Sequence, residues 1–155
     1  IKQRIGLISN ELQVRYRQRL SGYEVVLSGF FDSVGLFRLA GEDQRQEARD
    51  WIKQLAIEHL AGKPFQHMSN GQRRMILIAR AMVKRPDLLI LDEPSQGLDI
   101  RNRERVLALV DHIGTATQTD LIFTTHRADE RPSCMTHELC LGPQGEWGCR
   151  RLRPL

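Results

Sequence analysis

Residues 88–99 read LLILDEPSQGLD: a run of four aliphatic residues that ends in two adjacent carboxylates, Asp92 and Glu93. A continuous apolar run without alternation is the pattern of a strand covered on both faces, as in a parallel sheet. Two negative charges at its end need water, a cation or hydrogen-bond donors. Ligands in open α/β sheets gather at the carboxyl ends of strands, so this stretch predicts a fold class and a site together.

A second strand is expected at LIFTTH (residues 121–126), which again runs from apolar residues into polar ones and ends at His126. Between the two, Val106, Leu109, Val110 and Ile113 recur at helical spacing. A strand, a helix and a strand joined by short links make a βαβ unit with parallel strands. IGLIS (residues 5–9) reads as a further short strand, and THELCLGPQGEWGCR as a hairpin turning near Pro143 to Gly145.

The stretch from residue 10 to 65 is expected to be mostly helical. Ser21 to Gly41 is apolar and glycine-punctuated without a clear period. From Asp43, Ala48, Trp51, Ile52 and Leu55 mark one helical face, and Gly62 with Pro64 is the expected stop. A second helix opens after MSN, where Ser69 or Asn70 can cap the first turn. Met75, Ile76, Ala79, Met82 and Val83 mark its apolar face, Arg73, Arg74, Arg80 and Lys84 sit elsewhere, and Pro86 closes it.

With 155 residues the chain can build one domain, or one and a part of another. No apolar run approaches the length of a membrane span. Its first residue is Ile1 rather than Met, which suggests a piece of a longer chain. The net charge of +4 and the scattered arginines read as a solvated face with a basic tail at Arg150, Arg151 and Arg153. No aromatic and basic interleaving speaks for a nucleic-acid platform. Cys134, Cys140 and Cys149 are an odd set that suits a reducing compartment, not a disulfide framework. With His137 they have a superficial zinc spacing, but strand alternation sends His137 and Cys140 to opposite faces.

Four features carry chemistry. Asp92 and Glu93 suit a division of labour in which one carboxylate binds Mg²⁺ through water and the other polarises an attacking water. MSNGQ (residues 68–72) opens a helix, where free N–H groups and the helix dipole favour an anion. There Gly71 permits close approach and the Ser69 hydroxyl can donate. His126 could contact a terminal phosphate or orient the water. SQGLD (residues 95–99) reads as a tight turn whose Asp99 is available to cap the next helix.

Taken in order, MSNGQ, a helix, LLILDEP, SQGLD, a helix, a strand and His126 resemble the ATP-binding cassette (ABC) ATPases. The resemblance is strongest over residues 65–126. It implies an α/β fold: a partial P-loop NTPase core, residues 1–9 and 85–155, with a helical signature subdomain over residues 10–84. It further implies that Ser69, Asn70, Gly71 and Gln72 form the signature, which meets nucleotide held by a second cassette, either a tandem half or a second copy. Asp92 stands where the family has its Mg²⁺-binding aspartate, Glu93 its catalytic base, Asp99 its D-loop aspartate and His126 its switch histidine. ATP and Mg²⁺ are the implied cofactors. VVLSGFFDSVGL, the run before GKPFQHMSNGQ and the ending THELCL are similar to tandem ATP-binding proteins of molybdenum transport, also called photorepair proteins.

The sequence departs from the family at three points. Asn70 stands in place of the second signature glycine. Asn10, with Gln13 three residues on, stands where the family carries its Q-loop glutamine, and is one methylene shorter. The phosphate-cradling G-x-x-x-x-G-K-[ST] is missing: the one Gly-Lys pair, Gly62-Lys63, is followed by Pro64, with Ile57 where the first glycine belongs. In the family that loop precedes the Q-loop, so it is expected upstream of Ile1, and this chain by itself is expected not to hydrolyse ATP.

The leading functional expectation is therefore part of an ATPase that drives transport, cytoplasmic or peripheral on the cytoplasmic face of the inner membrane, with a membrane permease as a further partner. Its alternative is a soluble tandem cassette acting on nucleic acid or ribosomes. A third reading, a mere interaction module, leaves the strand-end chemistry unexplained. An uncovered sheet edge predicts association between copies.

Overall fold

In the computed structural model, residues 4–9, 19–31 and 40–152 are described. Asn10 and Gln13 fall outside them.

A three-stranded parallel sheet, in the order β1-β2-β3, forms the centre. Its strands are β1 (Ile5–Ile8), β2 (Leu88–Asp92) and β3 (Asp120–Thr124). Leu91 pairs with Ile8 on one side and Phe123 on the other, and Asp92 pairs with Thr124. The expected parallel βαβ unit is thus present. β3 ends two residues short of the expectation, which leaves Thr125 and His126 in the loop beyond it.

Among the described residues the sheet is covered on one face, where the reading of LLIL expects both. Ile8, Leu89 and Leu91 point into the core with no exposed surface. On the opposite face Leu7, Ile90 and Ile122 are aligned neighbours, and Leu7 and Ile122 are about half exposed, at 50% and 47%. Asp92 and Thr124 lie two residues further along β2 and β3, on this same face. The apolar run is therefore a strand with one face packed and the other open.

The helices are α1 (Gly22–Leu27), α2 (Glu42–Gln54), α3 (Glu58–Ala61), α4 (Asn70–Met82) and α5 (Ile100–Ala116). α1 starts in a capping box: Glu24 N–H donates to Ser21 Oγ, and Ser21 N–H donates to Glu24 Oε2 at 2.7 Å. α2 buries Ala48, Trp51, Ile52 and Leu55 as its periodicity predicts. It does not continue to Gly62, because Ala56 takes φ +52. Ala56 N–H bonds Lys53 O and Ile57 N–H bonds Ile52 O, both at 3.0 Å, which closes the helix with paired C-terminal bonds around an alanine instead of a glycine. Ile57 turns inward as a result and is buried.

α4 is buried nearly all round, so two of its arginines depart from the solvated role that the pattern suggests. Arg74 is 1% exposed and Arg80 8%. Arg80 Nε donates to Ser28 Oγ at 3.3 Å, and burial pulls the Arg74 guanidinium below its ordinary value. α5 buries Val106, Leu109, Val110 and Ile113 as expected. The antiparallel hairpin β4 (His137–Leu141) and β5 (Trp147–Arg151) completes the described chain. Among the described residues no helix is long and apolar enough to cross a membrane.

Candidate functional site

Two loops meet at the carboxyl end of the sheet, and a third piece, the start of α4, meets the start of α5. The first follows β2. Glu93 takes φ +44, a left-handed conformation that a side chain adopts only where its surroundings enforce it. Here the backbone N–H of Glu93 donates to Thr124 Oγ1 at 3.1 Å, and the same hydroxyl donates to Asp92 Oδ1 at 2.8 Å. One side chain on β3 thereby positions both residues of the carboxylate pair. Thr124 was not among the residues that the sequence marked, although a threonine at the polar end of LIFTTH is a readable signal.

The second loop follows β3 and carries His126. Its Nδ1 lies 3.0 Å from Glu93 Oε1. The other oxygen of that carboxylate, Oε2, is buried without a hydrogen-bond partner. A buried, unsatisfied carboxylate oxygen costs free energy unless something donates to it, and a water or a cation would do so. Asp92, by contrast, is exposed.

The third piece is the start of α4. Ser69 is the N-cap: Gln72 N–H donates to Ser69 Oγ at 3.3 Å, and Ser69 N–H donates to Gln72 Oε1 at 3.1 Å. Gln72 Oε1 also accepts from Lys63 Nζ at 2.9 Å. The cap uses a lone pair of the serine oxygen and leaves its hydrogen uncommitted to the cap. Ser69 and Asn70 face solvent, whereas Gly71 is buried. A Cβ on Gly71 would lie 2.7 Å from Asn102 Cγ and 2.8 Å from Asn102 Cβ. The glycine thus admits a side chain of α5 as well as baring backbone at the helix start.

Asn102 is held in turn by Asp99, the N-cap of α5. Asn102 N–H donates to Asp99 Oδ1 at 2.9 Å and Asn102 Nδ2 to Asp99 Oδ2 at 2.7 Å. Those two bonds hold the Asp99 carboxyl below the usual carboxylate range. The cap expected of Asp99 is therefore formed, and it links SQGLD to MSNGQ through one asparagine.

Among the described residues no three His, Cys, Asp and Glu side chains gather as a metal cage. Mg²⁺ does not need one, since it keeps several waters and takes one or two carboxylates beside phosphate oxygens. Asp92, exposed and held by Thr124, fits such an ion, and the orphaned oxygen of Glu93 beside it fits a water. The geometry assembles Asp92, Glu93, Thr124 and His126 at one point and joins Ser69, Gly71, Asn102 and Asp99 at another.

Comparison with known proteins identifies the family. The family described as ABC transporter matches residues 1–96. The chain is 42% identical over 146 residues to the ABC transporter ATP-binding protein ModF of Escherichia coli, covering 94% of this chain and 30% of that protein. It is 32% identical over 121 residues to the molybdate import ATP-binding protein MolC of Haemophilus influenzae, covering 78% of this chain and 48% of MolC. The solved structure of cbiO1 from Clostridium perfringens, part of the ABC transporter complex cbiONQ, superposes with a TM-score of 0.74 at 27% identity, covering 88% of this chain and 52% of that one. The chain thus spans between 30% and 52% of the length of these proteins. A family matched over residues 1–96, a relative aligned along 94% of this chain and an α/β sheet with carboxylates at its strand ends leave one assignment: this chain belongs to the ABC transporter family of ATP-binding proteins.

Proposed function

We propose that this chain is the C-terminal portion of an ATP-binding protein that binds and hydrolyses Mg·ATP to drive transport, with molybdate import as its specific role. The observation that carries the proposal is the cluster at the ends of β2 and β3. There Glu93 is held in a strained turn against His126, with one carboxylate oxygen buried and unpartnered.

In this reading Asp92 binds Mg²⁺ through water, and the ion when bound neutralises phosphate charge. Glu93 takes the proton of the attacking water, and its orphaned Oε2 is the oxygen that meets that water. His126 fixes the carboxylate through Oε1 and faces the terminal phosphate. Ser69, Asn70, Gly71 and Gln72 present a helix N-terminus to nucleotide held by a second cassette, where the exposed Ser69 and Asn70 are accessible. Asn10 occupies the Q-loop position. Residues 10–84 act as the helical subdomain, residues 1–9 and 85–155 as part of the α/β core, and a membrane permease is the further partner.

The row Leu7, Ile90 and Ile122, exposed at its two outer members, supports the idea that this core is completed by sequence outside the chain. That row leads straight to Asp92 and Thr124, so whatever covers it also abuts the site. The relatives' greater length supplies room for such a cover. The molybdate assignment is supported by the likeness to ModF and MolC.

The deciding experiment is phosphate release from Mg·ATP by the complete cassette, beside this chain alone. Turnover by the former and none by the latter is expected; a complete cassette without turnover overturns the proposal. Unchanged molybdate uptake in cells lacking the protein would overturn the cargo assignment alone.

A further inference from the structure

Glu130 is a buried carboxylate outside every motif discussed so far. It is 3% exposed, and it sits four residues beyond His126. Ser95, of the SQGLD turn, is 1% exposed and donates its hydroxyl to Glu130 Oε2 at 2.5 Å. Thr125 Oγ1 donates to the same oxygen at 3.2 Å. Two guanidinium groups balance the charge at Oε1. Arg127 Nε lies 3.0 Å away, and Arg103 Nε from α5 also lies 3.0 Å away, although its N–H is not aligned on the oxygen. Asp129 steadies both arginines from the solvent side.

A buried anion is costly unless it is paired, and here Oε2 accepts two hydroxyl bonds while two guanidinium groups face Oε1, the partners coming from three segments. The carboxylate therefore has little freedom, and neither does what it holds. Ser95 is two residues beyond Glu93, inside the turn that Gln96 N–H closes on Glu93 O at 3.1 Å and Leu98 N–H closes on Ser95 O at 3.2 Å. Thr125 immediately precedes His126. The loops that carry Glu93 and His126 are thus tied twice, once at the surface by the Glu93–His126 contact and once in depth through Glu130.

We propose that Glu130 is a positioning residue of the hydrolytic site: by holding Ser95 and Thr125 together it sets the placement of Glu93 against His126. It touches neither nucleotide nor water and acts through the two loops. The inference rests on the hydrolytic reading of Glu93 given above. Moving a reacting group by about 1 Å is enough to slow a reaction by roughly a hundredfold, so a brace at this depth has leverage on turnover.

The test has two arms. In the complete cassette, Glu130→Gln is expected to lower kcat by roughly tenfold to a hundredfold while KM for ATP stays within about twofold. Ser95→Ala, which leaves the Glu130 charge and its arginines intact, should lower kcat less, and the double variant should be no slower than Glu130→Gln alone. Additive losses, or a folded Glu130→Gln with unchanged kcat, overturn the proposal. The second arm needs no nucleotide. In the 155-residue chain, hydrogen exchange at the Gln96 and Leu98 amides should quicken by roughly tenfold in both Glu130→Gln and Ser95→Ala. Unchanged exchange in Ser95→Ala overturns the brace even if Glu130→Gln fails to fold. A wild-type cassette that releases no phosphate defeats the functional reading, and the exchange arm then decides the brace by itself.

Discussion

Thr124 and Asp92 are register partners on adjacent parallel strands, and the threonine hydroxyl donates to the aspartate carboxylate at 2.8 Å. The same oxygen accepts the backbone N–H of Glu93 at 3.1 Å. A single hydroxyl therefore orients the expected metal ligand and anchors the strained residue beside it.

Thr124→Val keeps the shape of this side chain and removes both bonds. Because the site is exposed, the expected loss of stability is no more than about 1 kcal/mol. The expected loss of kcat in the complete cassette is larger, roughly tenfold, because Asp92 and Glu93 are both released. Thr124→Ser should restore most of it. Urea melts and steady-state phosphate release on the three proteins separate the two effects, and equal activity in Thr124→Val would remove Thr124 from the site.

Glu93→Gln replaces a proton acceptor by an amide of the same size. Turnover of the complete cassette should fall by roughly two to four orders of magnitude, the usual scale for a general base, while Mg·ATP still binds. Equilibrium binding of a fluorescent ATP analogue beside the phosphate-release assay checks this. A variant that hydrolyses normally would show that the carboxylate is structural.

Much of this candidate site is legible in the sequence. Asp92, Glu93 and His126 announce themselves because strand ends in an α/β sheet are where polar groups have no packing reason to be. The apolar periodicities of α2, α4 and α5 were equally readable, since burial enforces them. What was missed lies where one residue type does another's work. Ala56 stops α2 in a conformation usually left to glycine, so the expected helix ran too far. Ser21 and Glu24 form a capping box whose S-x-x-E spacing was present in the text but masked by the glycines around it. The open face of β2 escaped notice because an apolar run reports what a strand is built to touch, not what is there to touch it. The roles of Glu130 and Asn102 are illegible for a different reason: Ser95 is 35 residues from Glu130 and Gly71 is 31 from Asn102, and only the fold brings each pair together.

The chain alone should bind Mg·ATP weakly or not at all, because it lacks a G-x-x-x-x-G-K-[ST] loop. Calorimetric titration from micromolar to millimolar nucleotide tests this. Micromolar binding would mean that the helix start at Ser69 holds phosphate without help from another cassette.

The thiols offer a check on packing that is independent of nucleotide. Cys140 and Cys149 are exposed, while Cys134 is half-buried against α5. Burial, and then the neighbouring Asp111 carboxylate, push its thiol up from 9.0 to about 11. A thiol with a raised pKa in the folded state contributes stability that is complete below pH 9 and is lost as the pH rises toward 11. At pH 8 an aromatic disulfide reagent should therefore react with two cysteines quickly, and with the third only slowly, since the thiolate is the nucleophile. In a chain carrying Cys140→Ser and Cys149→Ser, thiolate absorbance should rise with a midpoint well above that of a free cysteine. A midpoint at the ordinary value would mean that Cys134 has left the cover of Gly114 on α5, against which its side chain packs, and that this end of the fold is looser than described.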